Sequence, residues 1–468
     1  MSDYNFLMEI RLSPAQLRVV NHLSRVSAGM GLNLYLTGGA VRDLTCGQPY
    51  IRNLNFTVEG NVQKLLRALT ADDGKKKKRE KGSGPSFNEL SPKLEISHFN
   101  SRRQVASLIY AHGVEADLAM AHREVRPRPG RDAEIAPAGI FEDLRRRDFS
   151  ADAMAISLHP NSRGLLLDPT NGAADIERRE FRILNSRGFL DAPECVYRVL
   201  RLSRRLGFKL EERTQQWLEA AIESGAWKSL NPESQGRELR AALQEEHPAR
   251  VLRQFAQRGL LQGLNSSLTS ARIFYDRLEK IRSVARTTPG ADPFVVYFQT
   301  LVEPLPPAHR KQLAKTVLVY PPIQRLATGM DGAARKLAKA LAGSKGAIPS
   351  FTYRLLEGQP LPLLIYILVR HPKATIQNRI KSFLVRAPQV RDRLPRAELH
   401  ALGIEPGPRA EAILNKLFMD MLDGKIKTQP QITKAMHELA GISSEHSSKH
   451  TPHQLSKQAT AKPHKSAK

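Results

Sequence analysis

The chain has 468 residues and carries 72 Lys plus Arg against 46 Asp plus Glu, a formal net charge of +26. This length predicts about three domains, and a hydrophobic share of 41% argues against a disordered or collagen-like chain. Two cysteines exclude a disulfide scaffold and favour the reducing cytoplasm, while the lack of a long apolar run or a signal-peptide core predicts no membrane segment.

The N-terminal part begins with a predicted helix and a glycine turn. Ser13 followed by Pro14 is typical of a helix start. A short strand is predicted at residues 34–36, and it leads into Gly38 and Gly39. Two glycines let backbone amides approach a phosphate closely, although glycine pairs also form ordinary turns.

Three further strands are predicted in the first 160 residues. Residues 53–58 alternate strictly, so one face of this strand is apolar and the other is polar. The polar face carries Asn53 and Asn55. Two more strands are predicted near residues 105–110 and 114–120, and Asp117 lies on the polar side of the second one.

Two segments are rich in basic residues and are predicted to be irregular. Residues 75–84 are predicted to form a charged loop. Its lysines and arginine either contact RNA or only keep this loop soluble. From about residue 194 onward the helical period dominates, until residues 441–468 form a predicted disordered basic tail. The four histidines of this tail could chelate metal, but a solvated low-complexity tail is the favoured interpretation.

The order of several motifs carries a family resemblance. They are LTGGAVRDL, RNLNFTVEG, AHREVRPRPG, RRRDFSADAMA, LLLDPTNGAADI and RRLGF, all between residues 34 and 208. In this order and spacing they resemble the class II tRNA nucleotidyltransferases, the CCA-adding and poly(A) polymerase family. Looser similarity continues through residues 231–261 and 402–426.

The resemblance implies an α+β fold: a nucleotidyltransferase head with a small mixed β-sheet, then all-α neck, body and tail domains. We expect a head at residues 1–160, a neck that binds RNA and nucleotide at 161–265, a helical body and tail at 266–440, and the basic tail at 441–468. The implied reaction transfers a nucleotide from ATP or CTP to an RNA 3′ end with two Mg²⁺ ions, which prefer carboxylate ligands.

The expected metal-binding motif departs from the family. Asn53 and Asn55 stand where the family carries D-x-D, so the polar face is kept but its two negative charges are lost. Asp117 matches a third carboxylate and is a weak candidate metal ligand. Because amide oxygens neutralise none of the metal's charge, we expect metal binding and catalysis to be strongly impaired.

The motif that reads the incoming base also departs from the family. The neck helix of relatives begins E-D-x-x-R, and its Asp and Arg hydrogen-bond the base. Here Ala192 and Cys195 occupy those two positions. The simultaneous loss of the metal ligands and the base template indicates a relaxed requirement for nucleotide addition.

Other family positions are retained and imply nucleotide binding. They are Gly38, Gly39, Arg42, Asp43, Arg146, Arg147 and Asp148, and Asp168 matches the family's D-P motif. For Asp43 and Asp168 an equally good interpretation is structural, because Arg–Asp pairs near a sheet often join a helix to a strand.

A row of arginines on the neck helix is predicted to bind RNA. Arg198, Arg201, Arg204 and Arg205 lie on one stripe, opposite an apolar side. Without carboxylate partners these charges would repel one another, which favours phosphate contact over a solvated face. The overall charge likewise favours RNA as the partner. Because only 6% of the residues are aromatic, we expect the protein to recognise the backbone and shape of a folded, tRNA-like RNA rather than to stack on its bases.

Two hypotheses of different classes follow. The first is a non-catalytic RNA-binding relative, which the four altered positions favour. The second is an active nucleotidyltransferase that draws metal ligands from Asp117, Asp148 or Asp43, which the retained motifs favour. A third and weaker hypothesis is a regulator that binds nucleotide without metal.

Overall fold

The computed structural model describes residues 3–79, 94–125 and 134–441. The chain divides into two units. The first comprises the residues up to Tyr275 together with Pro304–Val319, and the second comprises Asp276–Glu303 and the residues from Tyr320 onward. Because the first unit includes both the expected head and the expected neck, the boundary at residue 160 stays a prediction.

A mixed β-sheet of seven strands forms the core of the first unit. The described strands of the chain are β1 Asn33–Thr37, β2 Leu54–Glu59, β3 Leu94–Asn100, β4 Val105–Tyr110, β5 Val114–Met120, β6 His122–Val125, β7 Glu134–Pro137, β8 Ala155–Ser157, β9 Leu166–Leu167, β10 Glu180–Phe181 and β11 Lys209–Leu210. The order of the seven-stranded sheet is β3-β4-β5-β2-β1-β8-β9. β2 and β5 run parallel, and the other neighbouring pairs are antiparallel. β6 pairs with β7, and β10 pairs with β11.

The predicted alternation of β2 is confirmed. Leu54, Phe56 and Val58 are at most 1% exposed, whereas Asn55 is partly exposed on the opposite face. The strands predicted at 105–110 and 114–120 are also confirmed as β4 and β5. A single polar face of the sheet therefore carries the polar residues of β2 and β5.

Helices account for most of the remaining structure. They are α1 Tyr4–Arg11, α2 Pro14–Gly29, α3 Gly39–Thr45, α4 Val62–Arg79, α5 Ile140–Arg145, α6 Gly172–Glu177, α7 Gly188–Asp191, α8 Glu194–Leu206, α9 Glu212–Glu223, α10 Pro232–Leu243, α11 Pro248–Gln257, α12 Tyr275–Arg286, α13 Phe294–Val302, α14 Pro307–Val317, α15 Pro321–Ala342, α16 Pro349–Leu356, α17 Leu361–Arg370, α18 Ala374–Asp392, α19 Arg396–Ala401, α20 Pro408–Leu422 and α21 Gln429–Ala440. None of the described helices is both long and apolar enough to cross a bilayer.

The start of α2 shows how local sequence sets a helix boundary. The hydroxyl of Ser13 accepts a hydrogen bond from the backbone N–H of Gln16, and the side chain of Gln16 accepts one from the backbone N–H of Ser13. This reciprocal capping box, with Pro14 at the first helical position, satisfies backbone donors that the helix leaves unpaired. The predicted start of this helix is confirmed.

The prediction of a loop at residues 75–84 is wrong for its first part. α4 continues through Arg79, because lysine is a good helix former and prolongs a helix that is already nucleated. Residues 80–84 lie outside the described residues, as does the predicted basic tail from residue 442.

The second unit is entirely helical in its described part. Tyr353 packs against Phe418 with ring centroids 4.7 Å apart, and Met421 and Leu422 join the same core cluster. The predominance of helices after residue 194 is confirmed, with the two-residue strand β11 as the exception.

Candidate nucleotide and RNA cleft

A cleft of about 950 Å³ lies over the polar face of the sheet. Its walls come from the β1–α3 turn, from β2 and β5, from residues 146–152, from α8 and from the end of α10. The cleft brings together most of the predicted site residues. They are Gly38, Gly39, Arg42, Asp43, Asn53, Asn55, Asp117, Arg146, Arg147, Asp148, Arg198, Arg201 and Arg205.

The glycine turn lies in close contact with two arginines. Gly38 has a φ of +65°, and a Cβ atom at this position would lie 3.0 Å from Nη1 of Arg147. A Cβ atom on Gly39 would lie 3.3 Å from Nη2 of Arg42. Glycine is therefore required at residue 38 by the backbone conformation and by the neighbouring guanidinium group.

The positions predicted to correspond to metal ligands share one wall of the cleft. Asn55 on β2 is the direct neighbour of Asp117 on the parallel strand β5, and Asn53 immediately precedes β2. Asp117 accepts a hydrogen bond of 2.7 Å from the hydroxyl of Ser107. The expectation that Asp117 faces the same cleft as the two asparagines is confirmed.

The sequence analysis missed a second carboxylate on this wall. Glu115 is exposed and lines the same cleft two residues before Asp117. Because side chains two residues apart lie on one face of a strand, the alternation of β5 was the signal that could have identified Glu115.

These residues do not fit a pair of magnesium ions. Of the four amide and carboxylate side chains on this wall, two are neutral amides, and one oxygen of the Asp117 carboxylate accepts the Ser107 hydroxyl. Across the described ranges, no cluster of three or more His, Cys, Asp or Glu side chains is arranged to hold a metal ion. Hard divalent cations need more anionic oxygen than this wall offers.

Asp143 holds the arginines of the R-R-D motif in place. Its carboxylate pairs with Arg146 at 2.7 Å and with Arg147 at 2.9 Å. Burial alone would raise the pKa of Asp143, but Arg147 and Arg146 outweigh it and lower the pKa below its usual value. Arg147 also donates to the hydroxyl of Thr57 at 3.2 Å. Asp143 lies three and four residues before the two arginines, a spacing that could have indicated these ion pairs from the sequence.

Arg42 joins two carboxylates beneath the glycine turn. It is 4% exposed and bonds Asp43 at 2.8 Å and Asp152 at 2.6 Å. Burial would lower the pKa of Arg42, but Asp152 and Asp43 raise it above its usual value. Asp43 also pairs with Arg205 of α8. This geometry supports the structural interpretation of Asp43, in which it joins α3 to α8.

Asp168 lies outside this network and caps a helix. Its two carboxylate oxygens accept hydrogen bonds from the backbone N–H groups of Gly172 and Ala173, at 2.8 and 2.9 Å. Because these are unpaired donors of the first turn of α6, Asp168 has a clear structural function.

The assumption that the neck arginines lack carboxylate partners is wrong for three of the four. Arg198 pairs with Asp148, and Arg201 pairs with Glu245 at 2.7 Å. Arg205 pairs with Asp43 and lies 3.9 Å from Glu245. The partners are 50, 44 and 162 residues away in sequence, so helical periodicity could not reveal them.

Arg204 differs from the other three. It is exposed, and its described polar contact is a hydrogen bond of 3.3 Å to the side chain of Gln254. The predicted stripe therefore consists of three arginines directed into the cleft and one outside it.

The two positions predicted to correspond to base-reading residues lie at the junction of α7 and α8. Ala192 follows the last residue of α7. Cys195 is 1% exposed in the first turn of α8, and burial and the nearby Asp148 carboxylate raise its pKa. Neither residue is among the described side chains that line the cleft. A group able to pair with a base is missing from both positions.

Comparison with known proteins agrees with this architecture. Residues 34–182 match the model of the Poly A polymerase head domain. The chain is 23% identical over 433 residues to an A-adding tRNA nucleotidyltransferase of Geobacter sulfurreducens, covering 90% of this chain and 47% of that protein. It is 35% identical over 196 residues to a CC-adding tRNA nucleotidyltransferase of Deinococcus radiodurans, covering 42% and 46%. The chain spans about half the length of these curated relatives.

Solved structures show the same fold. A tRNA-processing enzyme in its apo form aligns with a TM-score of 0.61 and 22% identity, covering 88% of this chain and 99% of that one. The Thermotoga maritima CCA-adding enzyme complexed with tRNA aligns with a TM-score of 0.53 and 24% identity, covering 94% and 98%. The head-domain match, the sequence relatives and the fold agree: residues 34–182 carry a Poly A polymerase head domain, and the chain is similar in sequence to tRNA nucleotidyltransferases and in fold to CCA-adding enzymes.

Proposed function

We propose that this protein binds tRNA-like RNA and has lost most or all nucleotidyl transfer activity. The observation that carries the proposal is the pairing of Asn55 with Asp117 on the cleft wall. At the two positions where the family carries an acidic pair, this wall has the neutral amides of Asn53 and Asn55, beside the carboxylates of Glu115 and Asp117. Without two bound cations neither the attacking 3′ hydroxyl nor the leaving pyrophosphate is stabilised, and two-metal phosphoryl transfer depends on both.

The ion pair of Asp148 is a second observation that supports the proposal. Its family position helps to hold the nucleotide's sugar and phosphates, yet here its carboxylate pairs with Arg198. The replacement of the base-reading groups by Ala192 and Cys195 acts in the same direction. Metal binding, nucleotide positioning and base selection are thus all weakened.

RNA binding is supported by charge and by the relatives. The net charge of +26 favours a polyanionic partner. Curated relatives are named as tRNA nucleotidyltransferases, and one structural relative is complexed with tRNA. We extend this partner class to the present chain, and we expect it to work in the cytoplasm, where both free cysteines would stay reduced.

The test is an extension assay with a tRNA that lacks its CCA end, labelled ATP or CTP, and either Mg²⁺ or Mn²⁺. We expect no incorporation above the level of a protein-free control. Incorporation at the rate of an active family member, carried out by the purified protein, would contradict the proposal.

A second candidate function is nucleotidyl transfer through a rearranged site. It is favoured by Glu115, which lines the cleft together with Asp117 and supplies a second carboxylate on β5. This alternative predicts incorporation that disappears in Asp117→Asn and Glu115→Gln and persists in Glu124→Gln, a change of an exposed carboxylate on β6 that does not line the cleft.

A further inference from the structure

An exposed group of arginines lies on two neck helices outside the cleft. Arg204 projects from α8. Arg250 and Arg253 are exposed on α11, and the half-buried Arg258 follows the last residue of that helix. We call these four residues the neck basic surface. Arg204 links the two helices, because its guanidinium bonds the side chain of Gln254 on α11 at 3.3 Å.

The charges of this surface are not neutralised by the described part of the chain. None of its four arginines lies within ion-pair distance of a described carboxylate. In contrast, the inward-facing Arg198, Arg201 and Arg205 each pair with one. Four uncompensated positive charges on one face repel one another, and this repulsion is relieved when an anion binds.

The neck basic surface is held in place by contacts that do not neutralise its arginines. The guanidinium of Arg253 lies 4.6 Å from the centre of the Tyr275 ring, a cation–π contact. α8 and α11 are packed together by Tyr197 and Phe255, whose ring centroids are 5.3 Å apart. The hydroxyl of Tyr197 also donates to the backbone carbonyl of Leu260 at 3.0 Å. The surface is therefore carried by two firmly packed helices.

The spacing suits a regular array of phosphates. Arg250, Gln254 and Arg258 succeed one another every four residues, which on an α-helix corresponds to a rise of about 6 Å and a single face. The opposite face, with Val251, Leu252 and Phe255, is buried. Gln254 is neutral, so the two cations of this row are eight residues, or about 12 Å, apart, a distance at which both can contact phosphates of one nucleic-acid backbone.

We propose that the neck basic surface binds the phosphate backbone of double-helical RNA outside the cleft. Backbone contact is favoured over base stacking because the one ring identified at this surface, that of Tyr275, is already covered by Arg253. The inference rests on the proposed RNA-binding function and specifies where part of the RNA binds. It assigns the salt-dependent affinity to Arg204 and α11 rather than to the inward-facing arginines of α8.

The test compares two triple variants of the full chain in fluorescence anisotropy titrations with labelled tRNA lacking its CCA end. The first variant is Arg204→Gln, Arg250→Gln and Arg253→Gln. The control is Arg18→Gln, Lys64→Gln and Arg67→Gln, which removes the same charge from exposed positions of α2 and α4 that do not line the cleft. Thermal unfolding followed by circular dichroism confirms that both variants fold.

We expect the first variant to bind about tenfold to a few hundredfold more weakly at 0.1 M salt, with the slope of log affinity against log salt reduced by up to about 3. The control should change both quantities much less. Equal effects of the two variants, or none from the first, would overturn the inference while leaving RNA binding intact. Absence of tRNA binding by the unmodified protein would instead overturn the proposed function.

A parallel arm uses vesicles of anionic phospholipid. We expect the unmodified protein to bind the tRNA far more tightly than these vesicles at equal salt. If the vesicles bind as tightly, and the first variant loses that binding, the neck basic surface is a membrane-binding surface and the RNA assignment is wrong.

Discussion

Asn55 on β2 and Asp117 on β5 are direct neighbours in the parallel pair of strands that forms the cleft wall. An acidic residue at each position would place two carboxylates side by side, as a divalent metal site requires. The amide of Asn55 keeps the shape of the wall and removes the charge. The strand pairing keeps the two side chains together, and only one of them carries a negative charge.

Restoring the two carboxylates should restore metal binding. In Asn53→Asp with Asn55→Asp, we expect Mn²⁺ to bind at least about tenfold more tightly than in the unmodified protein, because two anions are added beside Asp117. Electron paramagnetic resonance of free Mn²⁺ measures this directly. Asn185→Asp with Asn265→Asp, which adds the same charge away from the cleft, is the matched control. Equal Mn²⁺ affinity in both double variants would contradict the prediction.

The Asn53→Asp, Asn55→Asp variant also distinguishes the effect of the missing metal ligands from the effect of the missing base-reading groups. If Mn²⁺ binds but labelled nucleotide is still not incorporated, the missing base template at Ala192 and Cys195 is the second block. Full activity would show that the template positions are dispensable in this chain.

Asp143 should stabilise the fold through Arg146 and Arg147. We expect Asp143→Asn to lower the free energy of unfolding by about 3 kcal/mol, since it leaves two partly buried guanidinium groups without their partner. Urea unfolding measures the change. Glu142→Gln is the control, because this neighbouring carboxylate is exposed and contacts Arg123 at 3.9 Å. A loss no larger than that of the control would contradict the prediction.

The pH dependence of stability provides a separate check on Asp143. Its pKa is lower in the folded state, because Arg147 and Arg146 outweigh the effect of burial. The group therefore adds stability at a pH above its unfolded pKa of about 4, and this contribution is lost as the pH falls through the lower folded pKa. Asp143→Asn should make stability fall less steeply in this acidic range.

Gly38 should be less tolerant of alanine than Gly47, although both have a φ of +65°. A Cβ atom on Gly47 meets nothing within 4 Å, whereas one on Gly38 meets Arg147 at 3.0 Å. We expect Gly47→Ala to cost about 1 kcal/mol of unfolding free energy and Gly38→Ala about 2–3 kcal/mol. Equal costs in urea unfolding would show that the Arg147 contact is unimportant.

The two cysteines should be poorly reactive in the folded protein. Burial, with Asp43 and Asp152 adding to it against the opposing effect of Arg42, raises the pKa of Cys46 to about 12. Since the thiolate is the reactive form, we expect alkylation by iodoacetamide at pH 7.5 to be at least about a hundredfold slower than in the denatured chain. Mass spectrometry after timed quenching follows each site. Rapid labelling of Cys46 in the folded protein would contradict this.

Short-range sequence patterns predicted those elements that are determined by residues close together in the chain. The polar and apolar faces of β2 and β5, the capped start of α2 and the glycine turn depend on neighbouring residues, so the sequence was sufficient for them. The alternation of β5 also places Glu115 on the face that carries Asp117, so this carboxylate too is predictable from the sequence.

Charge pairing could not be predicted in the same way. The partners of Arg201 and Arg205 include Glu245, which reaches them from the end of α10. A helical stripe shows which arginines share a face, but it does not show which distant carboxylate that face meets. For this reason the sequence predicts an RNA-binding stripe, whereas three of its arginines pair with carboxylates in the structure.

The central claim, RNA binding without nucleotidyl transfer, is tested most directly in one reaction. Labelled tRNA lacking its CCA end is mixed with excess protein, ATP, CTP and Mn²⁺; a native gel then reports binding and a denaturing gel reports RNA length. We expect nearly all of the RNA to be bound and none of it to be lengthened. Bound RNA extended within a single turnover by one to three nucleotides would contradict the account.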